Sequence, residues 1–218
     1  MPFQAVFFDF DYTLGDATEA IVAGFQYAFP LMGLPAPDRE SVRRTVGRTL
    51  EDSYTALTGD PAPARQAEFR RLYTEKANPL QVNVTRLLPG AVELLTTLKE
   101  AGIPAGVVST KKSVTLKAVV AARGVDHLLC SVTGGDMVTR PKPDPQGLLA
   151  AVTALGLAPE QALFCGDTVI DGETARRAGT HFCAVLNGTT TRGDFEASGL
   201  PADYIADDLW ALKAWLNL

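Results

Sequence analysis

Asp9, Asp11 and Thr13 follow directly on the apolar run Ala5–Phe8, and the same pattern recurs along the chain. Ser109, Thr110 and Lys111 follow Ile103–Val108, Lys142 lies in a loop after Leu128–Val132, and Gly166, Asp167, Thr168 and Asp171 follow Ala162–Cys165. Each residue has an ordinary local use: Asp11 and Thr13 in a turn, Asp171 as the cap of a helix ending at Gly179, Lys142 as a solvated loop lysine, Ser109 as a strand-end hydroxyl. Together they form a chemical set of four carboxylates, several hydroxyls and a lysine. Two unit charges about 4 Å apart repel by roughly 4 kcal/mol at an effective dielectric of ~20, so three clustered carboxylates cost on the order of 12 kcal/mol, comparable to a whole domain's stability. Something cationic must sit among them. All-oxygen donors with no Cys or His nearby select a hard cation, and a sparse set that leaves room for water and phosphate favours Mg2+ over calcium. His127 and His181 show no zinc spacing and read as structural.

The elements that must position this set follow a rhythm. From Pro89 onward a helix-period stretch, a glycine and a short apolar run repeat, with Gly102, Gly124, Gly156 and Gly179 as left-handed helix stops. Pro89 opens a helix with Val92, Leu94, Leu95 and Leu98 on its apolar face; Ser113 caps the next, over Leu116, Val119 and Val120; Asp144 and Pro145 start a third, over Leu148, Leu149, Val152 and Leu155. Strands are expected at Ala5–Phe8, Ile103–Val108, Leu128–Val132, Ala162–Cys165 and Phe182–Leu186, all continuous apolar runs of the kind covered on both faces. The fold class is therefore α/β, a doubly wound parallel sheet, in which ligands bind beyond the carboxyl ends of the strands.

Residues 16–82 break the rhythm and read as an inserted small α-helical domain, leaving 1–15 and 83–218 as the core. Asp16 and Glu19 form a capping-box pattern ahead of Ile21, Val22, Phe25 and Phe29, and further helices are expected near Asp38–Thr45, Leu50–Leu57 and Ala64–Ala77, separated by prolines that include Pro79. The insertion holds seven of the thirteen arginines, whose ordinary reading is a solvated helical face. The chain's 218 residues and 46% hydrophobic content allow a sizeable core and exclude wholesale disorder. Its net charge of −5 offers no global attraction to nucleic acid or an anionic membrane. The three cysteines, Cys130, Cys165 and Cys183, sit in apolar runs and read as buried, reduced thiols. With no leader pattern and no run of ~18 apolar residues, a cytoplasmic location is expected.

Asp9-Phe10-Asp11-Tyr12-Thr13-Leu14 resembles the first motif of the haloacid dehalogenase superfamily. Val107-Val108-Ser109 resembles the second, Lys142-Pro143-Asp144-Pro145 the third and Gly166-Asp167-Thr168-Val169-Ile170-Asp171 the fourth, in the right order, and the insertion after the first is similar to that family's small helical cap. The resemblance covers essentially the whole chain. It departs at Tyr12, where glycine is usual, at Thr110, where Asn is common, and at Gly172, where an apolar residue is usual.

The resemblance implies that Asp9 is a nucleophile forming an aspartyl-phosphate, and that Asp11 protonates the leaving alcohol and then activates water. It also implies Mg2+ held by Asp9, the backbone carbonyl of Asp11 and Asp167, with Asp171 beside it as a direct or indirect ligand. Ser109 and nearby N–H groups would bind phosphoryl oxygens, with Thr13 and Thr110 adjacent, and Lys142 would neutralise phosphate and seat Asp9. Asp11 argues against a true dehalogenase, which lacks that acid. The implied activity is a phosphatase of a small phosphorylated metabolite, similar to the phosphoglycolate phosphatase branch, with a phosphomutase resembling β-phosphoglucomutase as the alternative. A response-regulator receiver domain and a catalytically silent member of the superfamily are more distant readings. Arg48, by the turn Val46-Gly47 and near Arg43 and Arg44, is a candidate for binding a substrate carboxylate or second phosphate. The oligomeric state, monomer or homodimer, is left open.

Overall fold

A computed structural model describes residues 3–218. The chain divides into two compact units, Met1–Asp16 with Leu87–Leu218, and Ala17–Arg86. β1 (Ala5–Phe8) and β2 (Gly15–Asp16) belong to the first unit. The second is built from α1 (Thr18–Leu31), α2 (Arg39–Arg43), α3 (Leu50–Thr58) and α4 (Pro63–Val84). β3 (Arg86–Leu87) pairs with β2 where the chain returns. The first unit then continues through α5 (Ala91–Glu100), β4 (Ala105–Val108), α6 (Ser113–Ala122), β5 (Ser131–Thr133), α7 (Gln146–Ala154), β6 (Ala162–Gly166), α8 (Val169–Ala178), β7 (His181–Val185), α9 (Arg192–Ser198), β8 (Tyr204–Ala206) and α10 (Leu209–Trp215).

The main sheet has the order β5-β4-β1-β6-β7-β8, and every pairing is parallel. Its winding reverses between β1 and β6, where an open α/β sheet leaves a crevice at the carboxyl ends. Phe8 pairs with Val107 on β4 and with Cys165 on β6, so the loops after these three strands leave the sheet level with one another. β1 is buried along its whole length. Phe7 packs with Val108, Leu148, Val152, Phe164 and Phe182, and each such side chain contributes about 1.5–3 kcal/mol by leaving water. This apolar layer fixes the strand ends from which the polar residues emerge.

The helical unit has its own core of Phe25, Phe29, Tyr54, Phe69 and Tyr73, with Phe25 and Phe69 rings 4.9 Å apart. A Cβ on Gly24 would lie 2.6 Å from the Tyr73 ring, so glycine lets α1 and α4 approach closely. The arginines here are paired: Arg39 with Glu19, Arg43 and Arg44 with Glu40, Arg65 with Glu68, Arg70 with Glu51 and Arg71 with Glu75. Arg48 is exposed and has no ion pair among the described residues.

The four glycine stops hold, with φ of 71° at Gly102, 70° at Gly124, 71° at Gly156 and 75° at Gly179. Other expectations shift. The apolar run near Leu128 enters a short 3-10 turn, Asp126–Leu128, and the strand begins only at Ser131, because hydrophobicity alone does not distinguish the two. α4 continues through Pro79 to Val84: a proline removes one backbone hydrogen bond, and buried Ala77 and Gln81 anchor the turns on either side. α1 starts at Thr18 with Ala17 as its N-cap, Asp16 lies in β2, and Glu19 pairs with Arg39. Ser113 does not cap α6; Asp136 does so from outside, accepting from the Ser113 N–H at 2.6 Å and its hydroxyl at 3.0 Å. Val92 faces water while Ala91 takes the buried position on α5, and Cys130 is exposed, with Cys165 and Cys183 buried. β8, α9 and α10 are elements beyond those expected from the sequence. Among the described residues no helix is long and apolar enough to cross a membrane.

Candidate active site

Asp9 is the first residue past β1 and is 1% exposed. Its backbone N–H donates to the Cys165 carbonyl at 2.8 Å, so the sheet fixes where its side chain begins. Asp167 and Asp171 follow β6, Asp171 in the first turn of α8. One carboxylate oxygen from each of Asp9, Asp167 and Asp171 lies within 4.8 Å of the others, and all three residues are buried.

Lys142 is the counter-charge. Its buried ammonium donates to Asp171 Oδ1 at 2.6 Å and lies 3.1 Å from Asp9 Oδ1 as an ion pair without a well-directed hydrogen bond. Burial pulls the lysine's pKa down, but the charges of Asp171 and Asp9 outweigh it and hold it above the ordinary lysine range. Asp171 Oδ2 accepts from the Thr168 N–H at 3.1 Å and its hydroxyl at 2.7 Å, so both of its oxygens are engaged. Asp167 is different. Thr13 donates to its Oδ1 at 3.4 Å, while Oδ2 is buried with no partner among the described residues. A buried, unpartnered carboxylate oxygen beside two further carboxylates fits a hard divalent cation. One lysine for three carboxylates leaves the set underneutralised.

That imbalance has a measurable consequence. Burial, then the charges of Asp171 and Asp9, hold Asp167 well above its ordinary value of 3.8. Burial likewise raises Asp171 against Lys142, and Asp11 against Lys111. Each group has a higher pKa folded than unfolded, so between the ordinary value and the raised one the folded chain binds more protons and stability falls as pH rises. Without divalent cation, the melting temperature is expected to increase as pH is lowered toward the ordinary carboxylate range. Asp167→Asn should flatten that slope; thermal melts in chelator read both, and an opposite slope in the wild type contradicts the assignment.

Asp11 stands apart from the cluster. Its carboxylate pairs with Lys111 Nζ at 2.8 Å, both side chains nearly buried. Tyr12, next in the turn, has φ 59°, in the left-handed region that favours glycine, which accounts for glycine being usual there and puts about 1–2 kcal/mol of strain on the tyrosine. Ser109 is buried at the end of β4, its N–H on the Thr133 carbonyl at 3.0 Å and its Oγ facing the Lys111 N–H at 3.4 Å. Thr110 is half-buried in the same loop.

The structure thus brings Asp9, Asp11, Thr13, Ser109, Lys142, Asp167 and Asp171 to one sheet edge, while Arg48 belongs to the helical unit. Asp11's carboxylate lies outside the acidic cluster, which its expected role through the backbone carbonyl allows, and Thr13's hydroxyl is on Asp167. Lys111 and Thr168, placed past the strand ends by the sequence without a role of their own, gain Asp11 and Asp171 as partners, and Gly188 is added. A Cβ on Gly188 would lie 2.0 Å from Asp167 Oδ2, so the loop after β7 packs directly on that oxygen. The sequence signal for Gly188 is slight: an Asn-Gly pair that reads as a turn.

Residues 6–185 match the family model described as haloacid dehalogenase-like hydrolase. The N-acetylmuramic acid 6-phosphate phosphatase of Pseudomonas aeruginosa is 34% identical, over 86% of this chain and 84% of its own length. The phosphoglycolate phosphatase of Vibrio cholerae is 29% identical over 96% and 95%. A solved haloacid dehalogenase-like hydrolase from Bacteroides fragilis superposes with a TM-score of 0.92 at 36% identity, covering 96% of this chain and 99% of that one.

Proposed function

This chain belongs to the haloacid dehalogenase-like hydrolases, and on that premise we propose that it is a Mg2+-dependent phosphatase of small phosphorylated metabolites, working through an aspartyl-phosphate on Asp9. The observation that carries this reading is the buried set of Asp9, Asp167 and Asp171 around Lys142, with Asp167 Oδ2 left unpartnered. Asp9 and Asp167 would hold the cation, with the Asp11 carbonyl. Asp171, whose oxygens are already engaged, would serve chiefly by seating Lys142. When bound, the cation supplies charge neutralisation for a phosphate approaching a carboxylate.

The chain's own groups do the rest. Asp9 attacks phosphorus, forming an Asp9–phosphorus bond as the ester bond breaks, and Asp11 gives its proton to the departing alcohol oxygen. Asp11 then takes a proton from the water that attacks the aspartyl-phosphate, releasing phosphate and restoring Asp9. Lys142 holds Asp9 in place and offsets the incoming negative charge, and the Ser109 hydroxyl donates to a phosphoryl oxygen. Thr13 keeps Asp167 oriented.

The two named relatives act on phosphates whose organic halves are both carboxylic acids. A carboxylate-bearing phosphomonoester is accordingly the proposed substrate class, selected by the helical unit acting as a cap, with Arg48 as the candidate partner of the carboxylate. The test is phosphate release across a panel of phosphomonoesters with Mg2+ and with chelator. Turnover that survives chelation counts against the reading. Arg48→Ala is expected to raise KM for carboxylate-bearing substrates by about tenfold and to change nitrophenyl phosphate little. Equal loss on every substrate, or none, removes Arg48 from this role.

A further inference from the structure

We propose that Lys111 is a positioning residue that holds the Asp11 carboxylate by one oxygen, so that the other carries the proton to the leaving alcohol. The inference rests on the reading of Asp11 as the acid.

Lys111 reaches Asp11 from a loop one hundred residues away in sequence, its Nζ 2.8 Å from Oδ1. The two loops leave β4 and β1, neighbours in the sheet, and the lysine's backbone is held on both sides: its N–H faces Ser109 Oγ at 3.4 Å and its carbonyl accepts from the Gly135 N–H at 3.0 Å. The ammonium also lies 5.5 Å from the centre of the Phe10 ring. The stem and the head of the side chain are both constrained. The side chains of Lys111 and Asp11 are only 9% and 11% exposed, and a pair this dry adds little net stability, because desolvation offsets the attraction. What the pair does fix is direction. Lys111 donates to Oδ1 whether Asp11 is ionised or protonated, and among the described residues no partner holds Oδ2. In the first step the Oδ2–H bond breaks, the proton passes to the ester oxygen as its bond to phosphorus breaks, and the alcohol leaves neutral. Lys111 keeps its own protons throughout.

Such a role predicts dependence on the leaving group. Nitrophenyl phosphate departs as a stabilised phenolate and needs little protonation, whereas an alkyl phosphate depends on Asp11. kcat/KM is measured for nitrophenyl phosphate and for a primary alkyl phosphate that the wild type hydrolyses. Lys111→Met is expected to lower both, and to lower the alkyl-to-aryl ratio by a further ~30-fold, within the usual reach of general acid catalysis. Lys111→Arg, which keeps a cationic donor, should restore the ratio to within about threefold of wild type. If Lys111→Met does not fold, Lys111→Gln reads the same ratio. An unchanged ratio in the neutral variants, with or without loss of rate, overturns the proposal, because a structural or purely phosphate-binding lysine affects both substrates alike. A wild type that hydrolyses neither ester removes the phosphatase reading itself, and the inference with it.

Discussion

Asp9→Asn is expected to lower phosphomonoester turnover by about 10⁴-fold or more while leaving the chain folded, since losing a residue that acts as part of a catalytic unit costs nearly the whole rate. The amide has the shape of the carboxylate but lacks the nucleophilic charge. Folding should survive because the residue's position is set by backbone pairing, the Asp9 N–H on the Cys165 carbonyl at 2.8 Å, and not by its side chain. Electrostatics points the same way. Removing one of three buried carboxylates relieves repulsion that Lys142 alone does not cancel, so the cation-free variant should melt no lower than wild type. Phosphate release and a thermal melt on the same preparation test both halves. Residual turnover within tenfold of wild type would exclude Asp9 as nucleophile.

Lys142→Met carries the largest expected loss of stability, about 3–5 kcal/mol, the usual cost of removing one partner from a buried charge network. The lysine side chain is 4% exposed and contacts Asp9 and Asp171, which are 1% and 0% exposed. Without it, two buried carboxylates face each other and Asp167 with no cationic side chain between them. Activity should fall with stability, because the same ammonium seats the nucleophile. Divalent cation should recover part of the lost melting temperature in this variant and not its turnover. Denaturant unfolding gives the stability difference, and a change below about 1 kcal/mol would mean that the cluster is far more hydrated than its burial implies.

The core strands and the residues just past them were legible because both rest on local signals. Ala5–Phe8 is apolar on both faces, and Asp9 follows it whatever the rest of the chain does. The glycine stops were equally local, each answering a left-handed turn in its own stretch of backbone. Partnerships were not legible. Asp136 starting α6, Thr13 orienting Asp167 and Lys111 holding Asp11 join residues separated by 23, 154 and 100 positions, and no periodicity encodes them. Pro79 misled for a related reason: its local preference was outweighed by tertiary burial of Ala77 and Gln81. The acidic cluster could be anticipated as a set, but the oxygen left without a partner became visible only with Thr13, Thr168 and Lys142 in place.

The central claim is that phosphate passes through Asp9. The most direct test mixes the Asp11→Asn protein with nitrophenyl phosphate and Mg2+, quenches in acid and maps the phosphoryl group by peptide mass spectrometry. With the group that activates water removed, the intermediate should accumulate, and the phosphoryl group should lie on the peptide containing Asp9. A phosphoryl group on any other residue, or wild-type turnover unchanged when Asp9 is replaced, would contradict it.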